Sequence, residues 1–357
     1  MKLLMTCDAV GGVWQYATDL AAALAGEGVE VVLAVLGPTT RKDPSCVSGV
    51  TVVETGWPLD WLAAGPAEVL RTGRAVAALA ATHRADVVHL NSPALAAAGP
   101  FPAPVVAVAH GCVGTWWAAA HGGAPDPAYA WHGELMRAGL LAADTVVAPS
   151  KAYAEAVQRH YALPLPPITV HNGRAPLPLA AAEPVDQVFT AGRLWDRVKN
   201  TALLDSVAAR LPVAFRAAGP VTAPHGETIA PEHLTLLGTL PDAALAAEYA
   251  ARPIFVSAAR FEPFGLAVLE AAQAGCPLVL SGIDTLRELW TGAALFAPEE
   301  TPEAYLAAID RVRTEPGLRE HLSQAARLRA ARYTPEATAA AMLAIYRSLR
   351  PEARRAA

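Results

Sequence analysis

Two short segments carry residue types suited to gripping a charged ligand. The first reads Gly192-Arg193-Leu194-Trp195-Asp196-Arg197-Val198-Lys199-Asn200 and follows the apolar run 187–191. A strand ending there presents Arg193 and Lys199 over a crevice, where a planar guanidinium fork and a point-charge ammonium suit a diphosphate. Surface ion pairs with Asp196 are the competing use of these cations. The second segment is more specific: Arg260-Phe261-Glu262-Pro263-Phe264-Gly265-Leu266-Ala267-Val268-Leu269-Glu270, with seven residues between the two glutamates. A helix starting near Gly265 offers its first N–H groups to phosphate or sugar oxygens, and Glu270 within it accepts hydrogen bonds from vicinal hydroxyls. Leu266, Leu269, Ala272 and Gln273 leave Glu270 little outward face. A carboxylate on an apolar face is costly unless donors meet it.

Weaker signals lie in the first half. Gly11 and Gly12, in Asp8-Ala9-Val10-Gly11-Gly12-Val13, separate a strand pattern from a helix pattern. Backbone N–H groups there meet an anion or let a ligand approach closely, and a ligand-free tight turn is the alternative. The turn is neither G-x-G-x-x-G nor G-x-x-x-x-G-K-[ST], so dinucleotide dehydrogenases and P-loop enzymes lose their fingerprints. His110-Gly111 follows the run 104–109, and a structural histidine is the plain reading of it. Trp116, Trp117, His121, Trp131 and His132 crowd into residues 113–134. Aromatic faces pack on the C–H faces of sugars or on planar acceptors; interdomain packing uses them equally well.

The elements that position these residues alternate almost from end to end. Short β-branched runs at 2–6, 29–36, 51–54, 86–90, 104–109, 144–148, 168–170, 187–191, 213–218, 234–237, 253–257 and 277–280 predict strands. Ala/Leu-rich stretches at 13–27, 66–82, 200–210, 242–251 and 265–274 predict helices. Prolines at 164, 166, 167, 176, 178 and 184 break the rhythm around His171-Asn172-Gly173. Two halves of similar rhythm predict two doubly wound parallel-sheet domains, 1–172 and 173–335, with ligand held at an interdomain cleft. The last stretch is helical by pattern, punctuated by Pro302, Pro316 and Pro335, and 336–357 is surplus to one such domain.

The 357 residues suffice for two cores. Charged residues make up 17% and apolar ones 53%, which excludes long disordered tails, while the abundance of alanine means that the apolar share does not signal membrane. The formal charge is −5, dividing at residue 165 into −4 and −1, so bulk charge excludes a nucleic-acid binder. Arg347, Arg350, Arg354 and Arg355 read as a solvated helix end. Cys7, Cys46, Cys112 and Cys276 are scattered without metal-ligand spacing and predict reduced thiols in a cytoplasmic protein. Neither a signal peptide nor a transmembrane run is legible.

Taken together, the Gly-Gly turn, His110-Gly111, Asn172-Gly173, Gly192-Arg193 with Lys199-Asn200 and the E-x7-E element resemble the retaining, nucleotide-sugar-dependent glycosyltransferases of family 4, over nearly the whole chain. The resemblance implies the GT-B fold, α/β with two Rossmann-like domains, and a final helix that packs back on the first domain. It implies that Arg193 and Lys199 hold the donor diphosphate, that Glu262 contacts donor-sugar hydroxyls and that Glu270 binds the ribose. It places the backbone of Phe264, Gly265 and Leu266 by phosphate and sugar, the base near Gly238, Thr239 and Leu240, and Gly11 and Gly12 where donor and acceptor meet. His110 falls near the transferred sugar, with Trp116 and Trp117 toward the acceptor.

The expected chemistry is front-face displacement with no metal and no cofactor, a UDP-, GDP- or ADP-sugar serving as co-substrate and a saccharide or small molecule as acceptor. A nucleotide-sugar epimerase or hydrolase of the same fold, or a non-catalytic nucleotide-sugar-binding subunit, are the other readings. Two departures stand out. Ser257-Ala258-Ala259-Arg260 replaces the Pro-Ser often found before Glu262, and no basic cluster marks the first domain. The latter argues against a membrane-lipid acceptor and leaves peripheral membrane contact open.

Overall fold

The computed structural model describes residues 1–37, 49–123 and 126–349; Cys46, Arg350, Arg354 and Arg355 lie outside them. The chain divides into two units, Met1–Gly173 with Thr334–Ala357, and Arg174–Tyr333.

The first unit runs β1 (Lys2–Asp8), α1 (Gly12–Gly26), β2 (Glu30–Leu36), β3 (Val50–Glu54), α2 (Pro66–His83), β4 (Val87–Leu90), β5 (Val105–Val108), α3 (Val113–His121), α4 (Ala130–Ala142), β6 (Thr145–Ala148), α5 (Lys151–Tyr161) and β7 (Ile168–Thr169). Its sheet is seven-stranded, in the order β3-β2-β1-β4-β5-β6-β7, and every pairing is parallel. The strands are apolar on both faces because helices cover both. Leu3, Met5, Val31, Leu33 and Val87 enter one core, and Leu4, Val32, Val88 and Leu90 the other. This period of two puts His89 on the side of Val87.

The second unit follows with β8 (Val188–Ala191), α6 (Thr201–Ala208), β9 (Phe215–Ala218), β10 (Thr235–Gly238), α7 (Asp242–Ala250), β11 (Ile254–Ser257), α8 (Leu266–Ala274), β12 (Leu278–Ser281), α9 (Asp284–Trp290), β13 (Leu295–Ala297), α10 (Pro302–Thr314) and α11 (Leu318–Ala330). Its six-stranded sheet is again all parallel, in the order β10-β9-β8-β11-β12-β13. Phe189, Phe255, Leu278 and Leu280 fill one face, and Val188, Ile254, Val256 and Val279 the other. In both sheets the winding reverses beside the first strand of the unit, between β1 and β4 and between β8 and β11. That reversal leaves a crevice at the carboxyl ends of the strands.

The chain returns to the first unit with α12 (Pro335–Ser348), whose Ala339, Met342, Leu343 and Tyr346 pack with Leu20 and Leu24 of α1. Thr338 Oγ1 donates to His171 O at 2.9 Å. The two connections between units touch: a Cβ on Gly173 would lie 2.0 Å from Thr334 O. Pro302 and Pro335 occupy first turns, where a missing N–H costs nothing, under Thr301 and Thr334 as caps.

Two expectations change. The helix expected over 200–210 begins at Thr201, because Asn200 adopts a left-handed conformation (φ 58°) between a 3-10 turn at Arg197–Lys199 and α6. Asparagine tolerates that conformation better than most residues. The sequence reading also lacks β13, which is three residues long and follows Gly292-Ala293-Ala294 without a β-branched run.

Candidate functional site

The second unit gathers its polar residues at the β8/β11 reversal. Past β8 the chain turns at Gly192, whose N–H donates to Ala218 O at 3.0 Å. The next loop approaches so closely that a Cβ on Gly219 (φ 135°) would lie 1.7 Å from Gly192 O. Glycine is therefore required there for space as well as for dihedral angle. Asp196, 2% exposed, caps the turn at Arg197–Lys199 through Val198 N and accepts from Arg193 Nη2 at 2.8 Å. Arg193 also lies over the Trp195 ring at 5.5 Å. Arg193 is thus held in an ion pair with Asp196.

Past β11, Arg260 N donates to Val198 O at 2.8 Å, which stitches the two loops together. Glu300 adds a second stitch, accepting from Asn200 Nδ2 at 3.0 Å and from Arg260 Nε at 2.6 Å. This alignment brings the Lys199 ammonium onto the Glu262 carboxylate in a short ion pair. Lys199, Glu262, Gly192, Thr190 and Ser257 share one hollow, floored by Ala267 and Val268 of α8. Gly265, at φ 93°, starts α8, and its first N–H groups have no intrahelical acceptor. Phe264 beside it is 3% exposed and meets Tyr333 edge-to-face, so its ring belongs to the core.

Glu270 lies four residues into α8 and accepts from Arg174 Nε at 2.8 Å, both side chains being 10% exposed. Tyr249 Oη stands 3.5 Å from its other oxygen; burial first, and then the Glu270 charge, raises that phenol well above its ordinary pKa and keeps it a donor. Gln273 Nε2 donates to Arg174 O at 2.7 Å, so one helix face holds Arg174 at both ends. Arg174 was not singled out from the sequence, although an apolar helix carrying Glu270 demands a cation somewhere. Gly238 ends β10 and Thr239 and Leu240 follow it; neither they, Arg193 nor Glu270 line the hollow that Lys199 and Glu262 share.

In the first unit, Asp8 fixes the Gly11–Gly12 turn: its Oδ1 accepts from Val10 N at 2.6 Å and its Oδ2 from Trp61 Nε1 at 3.1 Å. Gly11, at φ 88°, caps α1, and Gly12 is its exposed first residue. His110 follows β5; its Nε2 lies 2.8 Å from Asn91 Oδ1, and Tyr16 stands edge-to-face at 4.4 Å. Burial, and secondarily His89, pushes the His110 imidazole down to about 3, so it is neutral at pH 7. Trp116 and Trp117, partly exposed on α3, open a run of rings: Trp117 stacks on His121 at 4.3 Å and Trp131 on His132 at 3.6 Å. No described helix is long and apolar enough to cross a membrane.

Comparison with known proteins agrees with this architecture. The family "Glycosyltransferase Family 4" matches residues 10–174, and "Glycosyl transferases group 1" matches 226–329. The chain belongs to the glycosyltransferases of the family 4 type. A GDP-mannose-dependent alpha-(1-6)-phosphatidylinositol dimannoside mannosyltransferase of Mycobacterium tuberculosis is 30% identical over 190 residues, which are 53% of this chain and 46% of that enzyme. The chain thus spans about half the length of that relative. Among solved structures, sucrose-phosphate synthase from Thermosynechococcus elongatus superposes with a TM-score of 0.80 at 21% identity, over 98% of this chain and 99% of its own. Anabaena HepE, solved with UDP and glucose, superposes with a TM-score of 0.71 at 16% identity, over 98% of this chain and all of its own. At such identities the shared property is the fold of two Rossmann-like parallel-sheet domains.

Proposed function

We propose that the protein is a retaining glycosyltransferase moving a sugar from a nucleoside diphosphate to an acceptor hydroxyl by front-face displacement. The observation that carries this reading is the meeting of Lys199, Glu262 and the start of α8 at the β8/β11 reversal. A diphosphate arriving there takes over the Lys199 ammonium from Glu262 and the Arg193 guanidinium from Asp196. The freed Glu262 carboxylate accepts donor-sugar hydroxyls. Glu270, oriented by Arg174, accepts from the ribose; an ionised carboxylate has lone pairs for several donors. The base is placed near Gly238, Thr239 and Leu240, while Gly11, Gly12, His110, Trp116 and Trp117 of the first unit serve the sugar and the acceptor.

In the reaction the anomeric C–O bond to the diphosphate breaks with its electron pair on the leaving oxygen. The acceptor oxygen bonds the same face of the sugar, and its proton passes to the leaving phosphate. Arg193, Lys199 and the N–H groups of Gly265 and Leu266 meet the charge that grows there, so the step needs neither metal nor cofactor. A UDP-, GDP- or ADP-sugar is the donor class, in keeping with HepE holding UDP and glucose and with the mannosyltransferase named for GDP-mannose. A saccharide or small molecule is the acceptor class, and the cytoplasm is the proposed location.

The test is a thermal-shift panel of UDP, GDP and ADP and their sugars, followed by product analysis with the donor that binds. A nucleotide at 100 Kd raises stability by about 2.7 kcal/mol. Absence of any shift overturns the reading, and consumption of the donor alone without transfer to saccharides points to an epimerase or hydrolase.

A further inference from the structure

A chain of four polar side chains runs from α12 to His110 beneath the carboxyl ends of β1 and β4. Asn91 Nδ2 donates to Thr6 O at 2.6 Å, and Asn91 N donates to Thr6 Oγ1 at 2.9 Å. A peptide carbonyl only accepts, so the first bond fixes which end of the Asn91 amide is nitrogen. Its Oδ1 therefore faces two imidazoles, His89 Nε2 at 2.9 Å and His110 Nε2 at 2.8 Å. An amide oxygen only accepts as well, so both Nε2 atoms carry protons. His89 is fully buried and His110 is partly exposed, both imidazoles being held neutral by desolvation, and a neutral ring with Nε2 protonated has a bare Nδ1. At His89 that Nδ1 accepts from the Tyr346 hydroxyl at 2.6 Å, with both residues 0% exposed. At His110 no hydrogen-bond partner for Nδ1 is found among the described residues.

We infer that Asn91 is a positioning residue that locks His110 in the Nε2-protonated tautomer, so that His110 offers substrate a lone pair at Nδ1 for accepting a hydroxyl hydrogen. Asn91 does this by occupying both Nε2 protons with one oxygen, while Tyr346 satisfies the His89 Nδ1 and Thr6 fixes the amide. His110 in this state takes hold of a hydroxyl and has no proton to give through Nδ1. The inference deepens the glycosyltransferase reading, resting on it for the substrate hydroxyl, whereas the tautomer itself is a property of the free protein.

Long-range proton–nitrogen correlation on the full chain with 15N-labelled histidine tests it. The expected spectrum has His89 and His110 each with a pyrrole-type Nε2 and a pyridine-type Nδ1; a protonated Nδ1 on His110 overturns the inference. Asn91→Leu removes the shared acceptor and is expected to convert the His110 signal to a mixture of tautomers, with a fall in turnover. Asn91→Asp keeps an acceptor oxygen but loses the donor to Thr6 O, so Nε2 of His110 is expected to stay protonated in a less stable protein, and a His110 Nε2 without its proton there counts against the inference. An Asn91→Leu spectrum identical to wild type removes Asn91 from the role. If that variant does not fold, the wild-type spectrum alone decides, and Tyr346→Phe supplies the second case: Asn91 is intact there, so His110 keeps its pyridine-type Nδ1, and loss of that signature counts against the inference. Failure of the protein to bind any nucleotide sugar would leave these spectra unchanged, so the two readings fail separately.

Discussion

Arg174 donates from Nε to Glu270 Oε1 at 2.8 Å across 96 residues of chain, and both side chains are 10% exposed. The contact reaches from the first residue of the second unit to the middle of α8. Removing one partner strands a charge in a poorly solvated site. Arg174→Met should therefore destabilise the second unit by about 3–5 kcal/mol, and Arg174→Met with Glu270→Leu should recover much of that loss. Urea unfolding of both variants is the check; equal stabilities for wild type and the single variant would show that water reaches the pair.

Lys199 and Glu262 touch each other, yet their substitutions should separate by assay. Lys199→Ala is expected to weaken nucleoside diphosphate binding roughly 10- to 100-fold, the worth of one charge-assisted contact. Glu262→Gln should leave that affinity nearly intact while lowering turnover on the order of 10² to 10³. Titration calorimetry with the free diphosphate, set beside steady-state rates, distinguishes the two. Identical binding in wild type and Lys199→Ala would take the lysine out of the diphosphate site.

Glycine substitutions should have opposite signs at two positions. At Gly219 the φ of 135° and the contact a Cβ would make at 1.7 Å with Gly192 O predict that Gly219→Ala costs about 1–3 kcal/mol or more. Gly26 ends α1 with open space around its Cβ position, so Gly26→Ala should gain roughly 0.5–1 kcal/mol. Thermal denaturation of the two single variants settles both signs.

Acid should destabilise the first unit through its buried imidazoles. Burial pushes His89 down to about 4, against 6.5 for a free side chain. Between these values the unfolded chain holds a proton that the folded one refuses, so stability is complete above pH 6.5 and falls as pH drops toward 4. Each such histidine contributes a slope of about 1.4 kcal/mol per pH unit in that window. His110, lowered to about 3 by burial and then by His89, adds to the same slope and extends it further into acid. Urea unfolding between pH 7 and 5 should show this fall, and His110→Gln should flatten it by up to one proton.

Local pattern and long-range partnership differ in how far the sequence reveals them. The alternation in Val87-Val88-His89-Leu90 already assigns His89 to one face of the sheet, and Gly265 before Leu266-Ala267-Val268-Leu269 marks the start of α8. Lys199 and Glu262 are readable as candidates because each stands just past an apolar run, where parallel strands present their loops. Arg174, Glu300 and Asn91 are not readable in this way. Each acts on a partner set by tertiary packing: Arg174 on Glu270, Glu300 on Asn200, Asn91 on His110. Nothing local marks a surface glutamate such as Glu300 as the clasp between two loops. Asn200 shows the same limit within one element, since the helix pattern runs through it while its left-handed backbone delays the start of α6 to Thr201.

The return of α12 to the first unit also orders events during biosynthesis. Residues 174–333 form their unit from one contiguous stretch, whereas Met1–Gly173 is completed only once Ala339, Met342, Leu343 and Tyr346 have been made. The half translated first therefore keeps one face of α1 uncovered until α12 arrives.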